Sequence, residues 1–352
     1  MRIVTVTPAG RRRYTQVLAQ YLLQHRDIID EHHWWACTRD ERDRANLFEL
    51  TAQNPEFFHV NDQPYYDDRT LSSNIWKFFQ DCTDPDTIYI RLDDDICYIA
   101  PDAIANLVRF RRENPDPFLV FGNIVNNAVC AYFHQRAGLI SATDRLSNMC
   151  MDPVGWGSPT FARAIHRSFL RDLDRGATDR WQRIAIDHKG FQRFSINVIC
   201  WMGRDMQQVP ERYHTDVDEE HFLTAELPRR MGRPNVVCSE ALFSHFAFWT
   251  QRDYLEWTSR DLLGQYARFV NENPGKPRSE WAWRLSDAVY RLLGAVWRAG
   301  DPIRKLRFKW QNRLVRRALR RERQAAAEST RLMLPEQEQE AHETESPESR
   351  TA

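Results

Sequence analysis

The chain has 352 residues, 42% of them hydrophobic, 28% charged and 12% aromatic. A chain of that length and composition can bury a sizeable core, which rules out wholesale disorder and fits one large domain or two small ones. Lys plus Arg and Asp plus Glu both number 49, so the formal net charge is zero; a dedicated nucleic-acid binder is normally basic, and no nucleic-acid partner is expected.

Residues 1–6 alternate and are too short for a signal peptide, and no apolar run approaches the roughly 20 residues of a bilayer span. The seven cysteines are scattered without a Cys-x-x-Cys pair, which fits reduced thiols in the cytoplasm. Residues 2–7 read as a short strand that stops at Pro8, followed by a helix over 11–24. Residues 34–38 and 57–60 are two more short apolar runs, and 71–79 is helical in pattern. Residues 87–92 form a β-rich run that ends on Asp93, Asp94 and Asp95. Pro101 then opens a helix to 112, with proline at a first-turn position. Another strand covers 118–121. The stretch 128–190 is less regular and reads as loops over a cleft. A strand at 194–201, a helix at 218–231 and a strand at 235–238 complete the body. This alternation argues for an α/β domain with a mostly parallel sheet flanked by helices.

The charge is unevenly spread. Between Arg284 and Arg331 stand 14 Lys or Arg against 4 Asp or Glu, and between Glu336 and Glu348 six Glu and no Lys or Arg. The expected organisation is a near-neutral body over 1–277, a basic helical arm over 278–333 and an acidic, disordered tail over 334–352. In the arm, Ile303, Leu306, Trp310 and Leu314 make one apolar stripe among arginines and lysines. Such a basic amphipathic helix reads either as a peripheral anchor on an anionic membrane surface or as a face packed on the body or another subunit.

The strongest chemical signal is the Asp93–Asp95 cluster. A buried strand delivers three carboxylates to its carboxyl end, the edge where open α/β sheets bind ligands. Adjacent like charges repel, and a hard divalent cation relieves that repulsion through oxygen ligands. Such a cation also bridges the phosphates of a nucleotide. Without a cation, the same residues read as a solvated acidic turn.

At these residues the sequence resembles the glycosyltransferases of the GT-A fold, nearest in style to family 2, over roughly residues 1–255. The opening strand with Thr7, Pro8 and Arg11 is similar to the one that holds the nucleotide base. Residues 71–79, with Asn74 and Lys77, resemble the helix before the metal motif. Asp93, Asp94 and Asp95 match the Asp-x-Asp motif, which implies that they bind Mn2+ or Mg2+ and the donor diphosphate. Asp218, Glu219 and Glu220 resemble the acidic acceptor-site motif, which implies a catalytic base; Glu219 is the expected one. His245 sits where many members place a further metal ligand. The resemblance implies a nucleotide-sugar donor and a glycan or lipid-linked acceptor, with the enzyme cytoplasmic or peripheral on the inner face of the membrane. Cys37 to Asp40 stand where the family often has Asp-x-Ser, and the Q-x-x-R-W signature of processive synthases is absent, which favours single transfer.

Three other readings compete. A sugar nucleotidyltransferase would need a glycine-rich phosphate loop after the first strand, and only Gly10 is there. A dehalogenase-type phosphatase would carry its Asp-x-Asp on the first strand. A non-catalytic, glycosyltransferase-like scaffold would bind a nucleotide without turnover. Among smaller features, Arg12 and Arg13 read as phosphate contacts or a solvated helix start. Trp156 reads as a sugar-stacking or ordinary loop residue, and His32 with His33 as structural, because no second ligand pair follows in sequence.

Overall fold

The structure, a computed structural model, describes residues 1–62, 75–141, 144–188, 190–207, 209, 219–270 and 277–300. Residues 1–286 form one compact unit, and a second begins at Asp287. Asn74, Asp218, residues 303–319 and the acidic tail lie outside the described residues, as does the side chain of Lys77.

The first unit is built on eight strands: β1 (Arg2–Ala9), β2 (Glu31–Ala36), β3 (Phe58–Asn61), β4 (Thr87–Leu92), β5 (Ile96–Ile99), β6 (Val120–Val125), β7 (Val198–Met202) and β8 (Val236–His245). Their order is β3-β2-β1-β4-β7-β6-β8-β5. β1 pairs parallel with β2 and β4, β2 with β3, and β6 with β8. β7 runs antiparallel between β4 and β6, and β5 antiparallel on β8. All strands except β5 and β7 therefore point the same way, as expected for the class. The central strands read as continuous apolar runs because both faces are covered: every residue of β4 and β6 is buried. Helix Arg12–Gln24 buries Tyr14, Val17, Leu18, Tyr21 and Leu22 along one stripe.

The sheet cannot be flat. Leu92 ends β4 and Ile96 begins β5; four Cα steps span at most about 14 Å. In the strand order β5 lies four places from β4, about 19 Å in a flat sheet. The short acidic turn therefore requires the sheet to curl until its last strand lies near its middle.

Several elements differ from the sequence reading. β1 continues through Pro8: its ladder with β4 ends at Val6–Arg91, while that with β2 runs on to Ala9–Ala36. Pro8 thus lies where one side of the strand is open, a position where proline is tolerated. β5 is an additional strand. Stretch 128–190 is not a set of loops; it holds helices Ala128–Arg136, Pro159–Asp174 and Asp179–Gln182. Ser158 caps the long one, accepting from the Phe161 N–H at 3.3 Å, and Pro159 occupies its first turn. β8 extends past Cys238 to His245, because an irregularity between the Gly122–Cys238 and Asn123–Leu242 pairs interrupts its apolar run without ending it. Helix Glu219–His221 passes through a π turn, Phe222–Glu226, into Leu227–Met231 and stops at Gly232, whose φ is +63°. The last described helix is Glu280–Ala299. No helix among the described residues is long and apolar enough to cross a membrane.

Candidate metal centre

Because β1, β4, β6 and β8 point the same way, their ends gather at one edge of the sheet. Arg11 follows β1, Asp93–Asp95 follow β4, Asn126 follows β6, and His245 ends β8. Asn197, just before antiparallel β7, enters the same edge: it donates from Nδ2 to Asp93 Oδ2 at 2.9 Å and accepts the Asp93 N–H at 2.9 Å. Asp93, Asp95 and His245 each offer one ligand atom here, all within 4.8 Å of one another.

The three carboxylates have different surroundings. Asp94 turns toward the end of β1, where it accepts from the Gly10 N–H at 3.1 Å and from Arg11 Nε at 3.0 and 3.1 Å, with Arg11 Nη2 also in contact. Asp95 is almost wholly buried. Its Oδ1 is 3.3 Å from His245 Nε2, and its Oδ2 is 3.2 Å from Arg11 Nη1 and 3.4 Å from Arg252 Nη2. Burial raises the pKa of Asp94 despite its pairing with Arg11. Burial also pushes Asp95 up, but Arg11, His245 and Arg252 together outweigh it and hold that carboxyl well below the usual range. In return the imidazole of His245 is raised: burial opposes its charge, and Asp95 prevails. Arg11 is likewise raised by the two carboxylates against burial.

The orientation of His245 makes it a competent ligand. Its Nδ1 is 3.2 Å from the Asn126 carbonyl oxygen. A carbonyl only accepts, so Nδ1 carries a hydrogen and Nε2 faces Asp95. Nε2 then either holds a second proton against the carboxylate or gives its lone pair to a cation that both groups share. Two carboxylates and one imidazole suit Mn2+ or Mg2+. Asn126 has φ +63°, a left-handed conformation that asparagine tolerates better than most residues. Its side chain donates to the Phe246 carbonyl at 3.0 Å and to Gln251 Oε1 at 3.1 Å. Gln251, fully buried, reaches the Gly155 carbonyl at 3.0 Å.

The acidic helix start diverges. Glu219 Oε1 accepts from Arg91 Nη1 at 3.0 Å, and Arg91 Nη2 reaches Asp93 Oδ1 at 3.1 Å, so one guanidinium joins that carboxylate to the metal motif. Glu220 instead meets Arg193 Nε at 2.7 Å and Cys150 Sγ at 3.3 Å. Thr7 is buried and Pro8 half-buried at the end of β1. Arg13 pairs with Glu256 at 3.3 Å, and the Arg12 N–H donates to Asp43 at 3.0 Å. Trp156 packs edge-on against Trp249 with centroids 5.6 Å apart.

Four contributors are absent from the sequence reading as site residues: Arg91, Asn126, Asn197 and Arg252. Arg91 carries a signal, being a charge inside an otherwise apolar strand. The other three depend on where distant strands end.

No family model matches the chain, and no curated protein matches it. Among solved structures the chain is similar to glucosyl-3-phosphoglycerate synthase from Mycobacterium tuberculosis in complex with Mn2+, uridine diphosphate and phosphoglyceric acid. The identity is 14% and the TM-score 0.41, covering 79% of this chain and 80% of that one. It is also similar to CMP:2-keto-3-deoxy-manno-octonic acid synthetase complexed with CTP, at 13% identity and TM-score 0.35 over 67% of this chain and 90% of that one. A third similar structure is 4-diphosphocytidyl-2C-methyl-D-erythritol synthase from Anaerococcus prevotii, at 9% identity and TM-score 0.39 over 77% of this chain and 99% of that one.

Proposed function

We propose that the protein is a metal-dependent glycosyltransferase that moves a sugar from a nucleotide-sugar donor to a hydroxyl of a glycan acceptor. The observation that carries this reading is the convergence of Asp93, Asp95 and His245, from β4 and β8, at the carboxyl edge of the sheet. Asp93, Asp95 and His245 would hold Mn2+ or Mg2+, which when bound would supply Lewis-acid stabilisation of the leaving nucleoside diphosphate. The chain's own residues do the rest. Arg11 and Arg252 place two guanidiniums beside Asp95, where they bind the remaining diphosphate charge. Thr7 and Pro8, at the end of β1, line the nucleotide. Glu219 takes up the acceptor proton, its carboxylate steered toward the metal motif by Arg91. Glu220, turned to Arg193 and Cys150, supports the helix start.

The test is a release assay on full-length protein. With Mn2+ and a panel of nucleotide-sugars, slow donor hydrolysis should liberate nucleoside diphosphate and stop on chelation. Pyrophosphate release from a nucleoside triphosphate and a sugar phosphate would instead make the protein a nucleotidyltransferase. Nucleotide binding without either release would make it a scaffold.

A further inference from the structure

Two tryptophans stand beside the metal centre. Helix Trp249–Thr258 starts just after His245 ends β8. Trp249, its first residue, is 67% exposed. Its ring stands edge-on to that of Trp156, which is partly exposed, with centroids 5.6 Å apart. The loop that presents Trp156 is fixed from two sides. Thr250 Oγ1 donates to the Trp156 carbonyl at 2.6 Å, and Gln251 Nε2 donates to the Gly155 carbonyl at 3.0 Å. On the other side the Trp156 N–H donates to the Asp152 carbonyl at 2.8 Å, and Asp152 Oδ1 accepts from the Gly155 N–H at 2.7 Å. A side chain at Gly157 would come within 2.6 Å of the Pro153 carbonyl oxygen, so this turn requires glycine. The pair adjoins the metal centre. The Phe248 ring lies 4.8 Å from that of His245 and 6.2 Å from that of Trp156, centroid to centroid. Arg252 follows Trp249 by three residues, on the same helix face, and reaches Asp95 at 3.4 Å.

We propose that Trp156 and Trp249 bind a sugar ring of a glycan and hold it beside the metal centre as the acceptor, a role that rests on the glycosyltransferase reading. A pyranose carries its hydroxyls round the rim and its C–H bonds on its faces. Those faces are apolar and slightly positive, and they complement the negative face of an indole. Covering Trp249 also removes apolar surface from water. Tryptophan offers this area while ordering only two side-chain torsions, and the tethered loop is already ordered by the fold, which lowers the cost of binding. Asp253 is exposed and one turn beyond Trp249 on the same helix face. A carboxylate there accepts from sugar hydroxyls and repels an anionic lipid headgroup, so the local chemistry favours a carbohydrate over a membrane surface. The acceptor class is therefore an oligosaccharide, recognised by the C–H face of one ring and the hydroxyls at its rim.

The experiment presents labelled full-length protein to a printed oligosaccharide array, with and without MnCl2 and UDP, and measures the strongest glycan by titration calorimetry. A defined set of glycans should bind. Trp249→Ala should weaken the strongest by about tenfold or more, the scale of one aromatic stacking contact. Trp249→Tyr should recover most of that loss, and Trp249→Leu, apolar but without a π face, should not. If Trp249→Ala melts early, the comparison of Trp249→Tyr with Trp249→Leu decides. Absence of glycan binding, or equal affinity in wild type and Trp249→Ala, overturns the proposal. So does Trp249-dependent sedimentation with phosphatidylglycerol vesicles in a protein that binds no glycan. Donor hydrolysis with Mn2+ needs no acceptor and is scored separately. Hydrolysis without Trp249-dependent glycan binding overturns this proposal and leaves the glycosyltransferase reading standing. Trp249-dependent glycan binding without hydrolysis supports the tryptophan site and removes the glycosyl transfer.

Discussion

His245 and His134 are both buried, at 3% and 0% exposure, yet their protonation is pushed in opposite directions. At His134, burial alone acts and lowers the pKa to about 3. That imidazole sits on helix Ala128–Arg136, with Nε2 2.8 Å from Asn123 Oδ1 and its ring edge-on to Trp181. Asn123 in turn donates to the Trp181 carbonyl at 2.7 Å, so the cluster is held by neutral hydrogen bonds. At His245 the same burial is overcome by Asp95, which sits among Arg11 and Arg252. Burial sets the cost of a charge, and the neighbouring residues decide whether that cost is met. One region keeps an imidazole neutral for packing; the other keeps alternating charges in a place where a cation can join them.

The largest expected effect comes from removing the residue that makes the difference. Asp95→Ala should abolish metal-dependent turnover and the thermal shift given by a nucleoside diphosphate with Mn2+. That shift corresponds to about 2.7 kcal/mol at a hundredfold excess of ligand over its dissociation constant. An undiminished shift would mean that the charged cluster is not the metal centre. Next, Glu219→Gln should keep donor affinity and lower kcat by about 10² to 10⁴, the range for a lost general base. Turnover that survives in Glu219→Gln but not in Asp218→Asn or Glu220→Gln would move the base to another carboxylate.

A smaller effect tests the neutral region. The folded pKa of His134 is about 3, below the ordinary value of about 6.5. The unfolded chain therefore binds the proton more readily, and stability is complete above pH ~6.5 and lost as pH falls toward ~3. Between pH 7 and pH 5 this single group should contribute about 2 kcal/mol of acid destabilisation. Urea unfolding of His134→Gln at the two pH values should show a correspondingly smaller difference than wild type; an unchanged difference refutes the assignment. The smallest effect concerns the carbonyl behind His245. Asn126→Ala must adopt a positive φ at a cost of about 1–2 kcal/mol, whereas Asn126→Gly avoids that strain. Chemical denaturation should rank glycine above alanine, and equal stabilities would count against strain at this position.

The turn after β4 is legible in the sequence because three carboxylates on an apolar strand have few other uses. β1, β4 and the helix after Pro101 are legible for the same reason, a clear run followed by clear punctuation. Helix Pro159–Asp174 carries its own Ser158–Pro159 start and a regular buried stripe, so its signal is local; the irregular segments on either side obscure it. β8 is harder to read, because the irregularity after Cys238 divides one strand into two short apolar runs. That division also detaches His245 from the strand that delivers it. Asn126 acts through a backbone carbonyl and a left-handed turn, and Asn197 and Arg252 through the ends of distant elements. No spacing in one dimension encodes those encounters. The divergence of Glu219 and Glu220 follows from helical geometry, but only the fold supplies Arg91 to receive one and Arg193 the other.

The short connection from β4 to β5 also bears on the order of folding. It places Asp94 and Asp95 against partners 83 and 157 positions away, Arg11 and Arg252. Contacts that distant along the chain form only after long loops have closed, and they fold slowly. The charge cluster is therefore completed late, once the sheet has curled and β8 has docked. A cation gripped by this cluster should leave the refolding rate nearly unchanged and slow unfolding, so that metal lengthens the life of the finished molecule without hastening its making.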